Sequence, residues 1–155
     1  MLNAIVQALP VAYFLAVAVP LITTDNREHR LPNKLTLPAI PITAFAWLSL
    51  ATLDNRWPDF WLSLGMAVIV FALGLGVNRM GYLGMGDVKL FVGLVMLLTW
   101  FVGAWSLLLP VLAVVVCATH YLVKVAIGKL SRGSSIAMGQ YIFFTAGLMF
   151  GLGVM

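Results

Sequence analysis

The chain has 155 residues, 63% of them hydrophobic and 9% charged, with a mean hydropathy of +1.06, and no water-soluble domain is built from that composition. Its net charge of +4 sits in short breaks between apolar segments, not interleaved with aromatic residues on one surface, so there is no footprint for nucleic acid. What remains is a polytopic protein solvated by membrane lipid.

A span needs roughly 20 mostly apolar residues, and charged or Gly/Pro-rich breaks divide the chain into about six such segments. They run near Leu2–Thr23, Leu35–Leu53, Phe60–Val77, Val88–Phe101, Trp105–Val125 and Ile136–Val154. The first has no Lys or Arg ahead of its apolar run, so it lacks the charged start of a signal peptide and is expected to remain as a span. Pro38 and Pro41 should bend the second near its start, a bend that would open a groove beside Asp25. The fourth is short. Gly74–Gly76 in the third and Gly147, Gly151 and Gly153 in the sixth have apolar surroundings, where small residues let helices pack closely. Cys117 stands alone, which excludes an intrachain disulfide and a cysteine-cluster zinc site. Almost every residue falls in a span or a tight connection. The expectation is therefore one all-α integral-membrane domain over residues 1–155, a six-helix bundle whose chemistry is done at helix ends.

Short loops rich in Lys and Arg stay in the cytoplasm. The first connection holds Arg27, Arg30 and Lys34, the third Arg79 and Lys89, the fifth Lys124, Lys129 and Arg132, whereas the even-numbered connections hold only Arg56. The odd loops are expected to be cytoplasmic and both termini to face away from the cytoplasm. Trp57, Trp61, Trp100 and Trp105 border the even loops, as an aromatic belt at the outer interface would.

Against this background Asp87 stands out, because it lies where the fourth apolar segment begins. An unpaired charge at membrane depth costs several kcal/mol, so such a carboxylate marks a functional site with a partner to be named. The plainer reading is a helix cap, with Gly84 and Gly86 supplying a loop. On the functional reading these glycines permit unusual backbone angles and let another backbone, or a peptide substrate, come close to Asp87. Asp25 closes the first segment and Asp87 opens the fourth, so span parity puts both on one membrane side, whichever way the chain is inserted. Asp54 and Asp59 fall on the other side and read as ordinary loop residues. Two adjacent carboxyls that share one proton can activate a water, one acting as general base while the other donates to a scissile carbonyl oxygen. That chemistry needs no metal, no cofactor and no covalent intermediate, and it leaves Cys117 unused.

The motif Gly84-Met85-Gly86-Asp87-Val88-Lys89-Leu90 resembles the GxGD signature of membrane aspartyl peptidases, and Asp25-Asn26-Arg27-Glu28-His29-Arg30-Leu31-Pro32-Asn33 resembles the first-aspartate segment of type IV prepilin peptidases. Met138-Gly139-Gln140 is similar to a Gly-containing segment of that family's last span. The resemblance covers nearly the whole chain. It implies catalytic aspartates at Asp25 and Asp87, and cleavage of a type IV prepilin or prepilin-like protein, with a basic leader, at the cytoplasmic face of a bacterial inner membrane. Contact with a pilus or secretion machinery would follow. The family's large form carries a cytosolic Cys-rich zinc domain and N-methylates its product. Nothing in these residues encodes that domain, so the chain looks like the short form of tight-adherence pilus systems, and methylation is in doubt.

Neighbouring residues have readings of both kinds. Arg27 and Arg30 orient Asp25 or set topology; Lys89 acts on Asp87 or snorkels to the headgroups; Asn33 caps the second segment after Pro32 or meets substrate. His29 reads as an exposed loop residue and His120 as a packing residue. Two other classes stay open: a small proton- or cation-coupled transporter or channel subunit using the same carboxylates, and a non-catalytic assembly factor.

Overall fold

The computed structural model describes residues 2–28, 31–129 and 137–154. Among them every regular element is helical: α1 (Leu2–Glu28), α2 (Asn33–Thr36), α3 (Ala39–Leu53), α4 (Trp57–Arg79), α5 (Met85–Val102), a 3₁₀ turn (Gly103–Leu107), α6 (Leu108–Ala126) and α7 (Gly139–Val154). Among the described residues four helical stretches, Leu2–Glu28, Asn33–Leu53, Trp57–Arg79 and Met85–Ala126, are long and apolar enough to cross a membrane. The last has 42 residues, about 63 Å at 1.5 Å per residue, roughly twice a hydrocarbon core of ~30 Å. It is broken by the 3₁₀ turn, where Gly103 takes a φ of 62° that favours glycine.

Each expected segment holds a helix, but the boundaries move. α1 continues through Thr24, Asp25, Asn26, Arg27 and Glu28, because polar residues that leave the hydrocarbon need not leave the helix and Arg27 suits the negative end of the macrodipole. Asp25 is thus inside a helix. The second segment is broken at Leu37–Pro38 into α2 and α3, as its prolines suggested. α4 starts at Trp57, which places Asp59 in its first turn and not in a loop. α5 starts at Met85 with Gly84 as its N-cap, so Asp87 belongs to the first turn.

The bundle is organised around α5, which is buried on all sides from Leu90 to Trp100, as expected of a helix with no polar face. Lipid is as apolar as leucine, so helix association rests on close contact and hydrogen bonds. The glycines divide on this point. A Cβ at Gly74 would stand 2.6 Å from Val88, at Gly93 3.0 Å from Phe14 and at Gly153 against Val102, whereas at Gly76, Gly147 and Gly151 it would meet nothing within 4 Å. Close packing therefore accounts for Gly74 and Gly153 and not for the other three glycines read that way.

Polar pins join α3 and α4 to the middle of α5: Trp47 Nε1 donates to the Met96 carbonyl at 3.0 Å and Ser63 Oγ donates to the same oxygen at 2.6 Å. Trp100 stacks on Trp47 with ring centroids 4.7 Å apart, and the Arg56 guanidinium lies over Trp100. At 5% exposure Trp100 is a core residue, which removes it from the aromatic belt; Trp57, Trp61 and Trp105 stay exposed. Asp54 accepts from Asn3, and Asp59 from Arg56. Trp47→Ala is expected to lower stability by about 3–5 kcal/mol, while Trp47→Phe, which keeps a ring and loses the indole donor, should cost about 0.6 kcal/mol. Unfolding of the detergent-solubilised variants measures both.

Candidate functional site

α1 and α5 bring their carboxylates to the same end of the bundle. Asp25 lies in the last turns of α1 and is 5% exposed. Its Oδ2 accepts a hydrogen bond of 2.6 Å from the backbone N–H of Gly139, the first residue of α7. Asp87 occupies the third position of α5, from which a carboxylate can reach back to the N-cap. The Gly84 backbone hydrogen-bonds to its carboxyl, so the helix-cap reading describes one part of its role. The rest of the carboxyl is not consumed: Oδ1 is buried and has no hydrogen-bond partner among the described residues. A buried acceptor left unmade is costly, and such an atom is where a ligand group would be held.

The glycines of the motif act through missing side chains, not unusual backbone angles. Gly84 has an ordinary extended conformation (φ −68°, ψ 144°); a Cβ there would lie 2.9 Å from Asp87 Oδ2. At Gly86 it would lie 2.8 Å from the Leu31 Cβ and 3.3 Å from the Leu31 carbonyl oxygen. The backbone that approaches α5 is therefore the strap following Asp25. Asn33 fastens the same strap, its Oδ1 accepting from Lys89 Nζ at 2.9 Å. Pro32, not Asn33, is the N-cap of α2, and Asn33 is its first residue. Arg27 is exposed in the last turn of α1, and no ion pair joins it to Asp25 among the described residues. Arg30 and His29 lie outside the described residues.

Both aspartates line one cavity of about 910 Å³. Its walls come from α4, α5 and α6, with Ile69, Leu73, Val77, Phe91, Val111 and Val114 among the lining residues. No residue of α2 or α3 lines it, so the bend at Pro38 does not shape this cavity. The lining of α6 runs from Leu107, just before its start, to Tyr121, about 21 Å at 1.5 Å per residue. Three lining residues escaped sequence reasoning: Cys117 and Tyr121, one helical turn apart on α6, and Tyr82, exposed in the loop before α5. The i, i+4 spacing of the first two was a usable signal. Tyr82 gave none, because its place follows from the turn at Gly81, whose φ is 79°. His120, on the same helix, hydrogen-bonds through Nδ1 with the Tyr141 hydroxyl, so it is a polar link between α6 and α7 and more than a packing residue. Among the described residues no group of three His, Cys, Asp or Glu side chains could hold a metal ion. The arrangement offers two carboxyls, one of them with an uncommitted oxygen, at the end of an apolar trough.

A sequence model of the type IV leader peptidase family matches residues 12–123, a span that includes both aspartates. No curated protein and no solved structure matches the chain.

Proposed function

Since the chain belongs to the type IV leader peptidase family and is a multi-pass membrane peptidase, we propose that it removes the leader of type IV prepilins or prepilin-like proteins by an aspartyl mechanism centred on Asp25 and Asp87. The observation that carries this reading is the opening of the two carboxyls, from different helices, into one largely apolar cavity. With six crossings and both termini outside, as the Lys and Arg distribution argues, that end of the bundle would lie at the cytoplasmic face of the bacterial inner membrane.

In the reaction one ionised carboxyl takes a proton from a bound water as its oxygen attacks the scissile carbonyl carbon. The other, protonated, carboxyl donates to the carbonyl oxygen. The tetrahedral intermediate collapses as the C–N bond breaks, the departing nitrogen takes the proton held by the first carboxyl, and the new acid returns its hydroxyl proton to the second. Asp25, anchored by Gly139, supplies a fixed oxygen, and Asp87 Oδ1 supplies the free one. Gly84 and Gly86 hold these parts close, with Lys89 and Asn33 closing the strap. The trough along α6 suits the apolar helix that follows the cleavage point, leaving the basic leader in water. A small residue before the cut, usually Gly, is what the family resemblance implies. A conducting path needs polar groups at successive depths, and the walls away from the aspartates argue against one.

Cleavage of a synthetic peptide with a basic leader, a small residue at the junction and an apolar helix tests the reading. The purified protein in bilayers should cut at the junction, and moving the leader's charges beyond the junction should abolish processing. Equal cleavage of a soluble, non-helical peptide would contradict membrane alignment of the substrate.

A further inference from the structure

We propose that the first turn of α7, locked to α6 by the hydrogen bond between Tyr141 and His120, is the positioning device of the Asp25 carboxylate, with Gly139, Tyr141 and His120 as positioning residues. The inference rests on the aspartyl reading above. Three observations meet here. The Gly139 N–H holds Asp25 Oδ2 at 2.6 Å. A Cβ at Gly139 would stand 2.9 Å from that oxygen, with Cβ and Cγ of Asp25 in ordinary contact at 3.5 Å, so a side chain there displaces the carboxylate oxygen that the N–H holds. Two residues on, Tyr141 is 6% exposed and its hydroxyl is joined to His120 Nδ1.

Farther along α7 the packing is largely apolar. Ile142, Ala146 and Met149 pack as apolar core, and the Thr145 hydroxyl bonds within its own helix, to the carbonyls of Tyr141 and Ile142. Two side-chain hydrogen bonds tie the first turn of α7 to other helices, one to α1 and one to α6. Apolar contacts set no register as sharply as a hydrogen bond. A slide of one residue moves a helix 1.5 Å along its axis and turns it by about 100°, which carries the Gly139 N–H out of reach of Asp25. The link from Tyr141 to His120 prevents that slide. Misplacing a catalytic group by about 1 Å can cost 10²-fold in rate.

The experiment is single-turnover and steady-state cleavage of the peptide by the full chain in bilayers. Gly139→Ala should lower kcat about 100-fold and Tyr141→Phe, which removes one hydrogen bond, about 3- to 10-fold, each with KM within about twofold of wild type because neither touches the apolar trough. Single-turnover amplitudes should stay at the wild-type level while the rate constants fall, since a misplaced carboxylate slows every molecule whereas misfolding removes molecules from the active population. Gly147→Ala, on the same helix with open space around it, should leave both unchanged. Wild-type rate constants in Gly139→Ala and Tyr141→Phe, or a loss of amplitude alone, would overturn the positioning role. Asp25→Asn separates the two ideas. If it abolishes cleavage while Gly139→Ala is silent, only this inference falls; if it too is silent, the aspartyl reading falls.

Discussion

Asp25→Asn and Asp87→Asn should each reduce leader cleavage by at least ~10³-fold while the protein still inserts and accumulates. Asn keeps the size of the side chain and much of its hydrogen bonding, and it removes a charge from membrane depth, so insertion is not made harder. What it cannot do is take a proton from water or give one to a carbonyl oxygen, functions that contribute about 10²–10⁴-fold in general acid–base catalysis. Because the carboxyls act as a unit, the double substitution should be hardly worse than either single one. Asp54→Asn and Asp59→Asn should cleave normally, since those carboxylates are engaged by Asn3 and Arg56. Gly86→Ala should fall between, with a loss of about tenfold, because its Cβ must push back the Leu31 backbone. Processing at the wild-type rate by either aspartate variant in a gel assay with membranes would sink the dyad.

The second large effect concerns a residue outside the chemistry. Cys117 lines the same cavity as Asp25 and Asp87 and is half-buried. Cys117→Ala should retain full activity, as expected of a thiol that does nothing in the reaction. A neutral, dye-sized maleimide is another matter: an adduct of that bulk fills much of a cavity this size, so labelling should remove more than nine-tenths of the activity of the wild type and none of that of Cys117→Ala. Small alkylating groups should inhibit far less. Sequence alone implied indifference to every thiol reagent, because chemistry and obstruction are distinguishable only once the wall of the cavity is known. Labelling stoichiometry by mass spectrometry beside the cleavage rate decides the point.

The apolar runs and their breaks were readable because they depend on composition, and composition survives any rotation of a helix. Parity made the common end of Asp25 and Asp87 readable in the same way. Helix ends were not: Thr24 to Glu28 are polar yet helical, since the signal for leaving hydrocarbon differs from the signal for ending a helix. Rotational facts were hidden as well. Gly74 and Gly76 look alike in sequence, but one meets Val88 and the other meets open space. Trp100 belonged with the interface tryptophans by position and with the core by its stack on Trp47. Lys89 and Asn33 were each noticed, while their contact, made across the strap, follows from tertiary packing that no local pattern encodes.

The hydrogen bond between Asp25 and Gly139 joins residues separated by 114 positions, and this bears on how the protein is made. α1 and α5 enter the membrane in order of synthesis, so both carboxyls are in place before the helix that steadies one of them has left the ribosome. At roughly 5–20 residues per second, the stretch from Asp87 to Gly139 takes several seconds to produce. Throughout that interval the nascent chain lacks the N–H that holds Asp25. If α7 positions Asp25 as proposed, completion of the last helix would be the step that completes the centre, an order set by the chain itself.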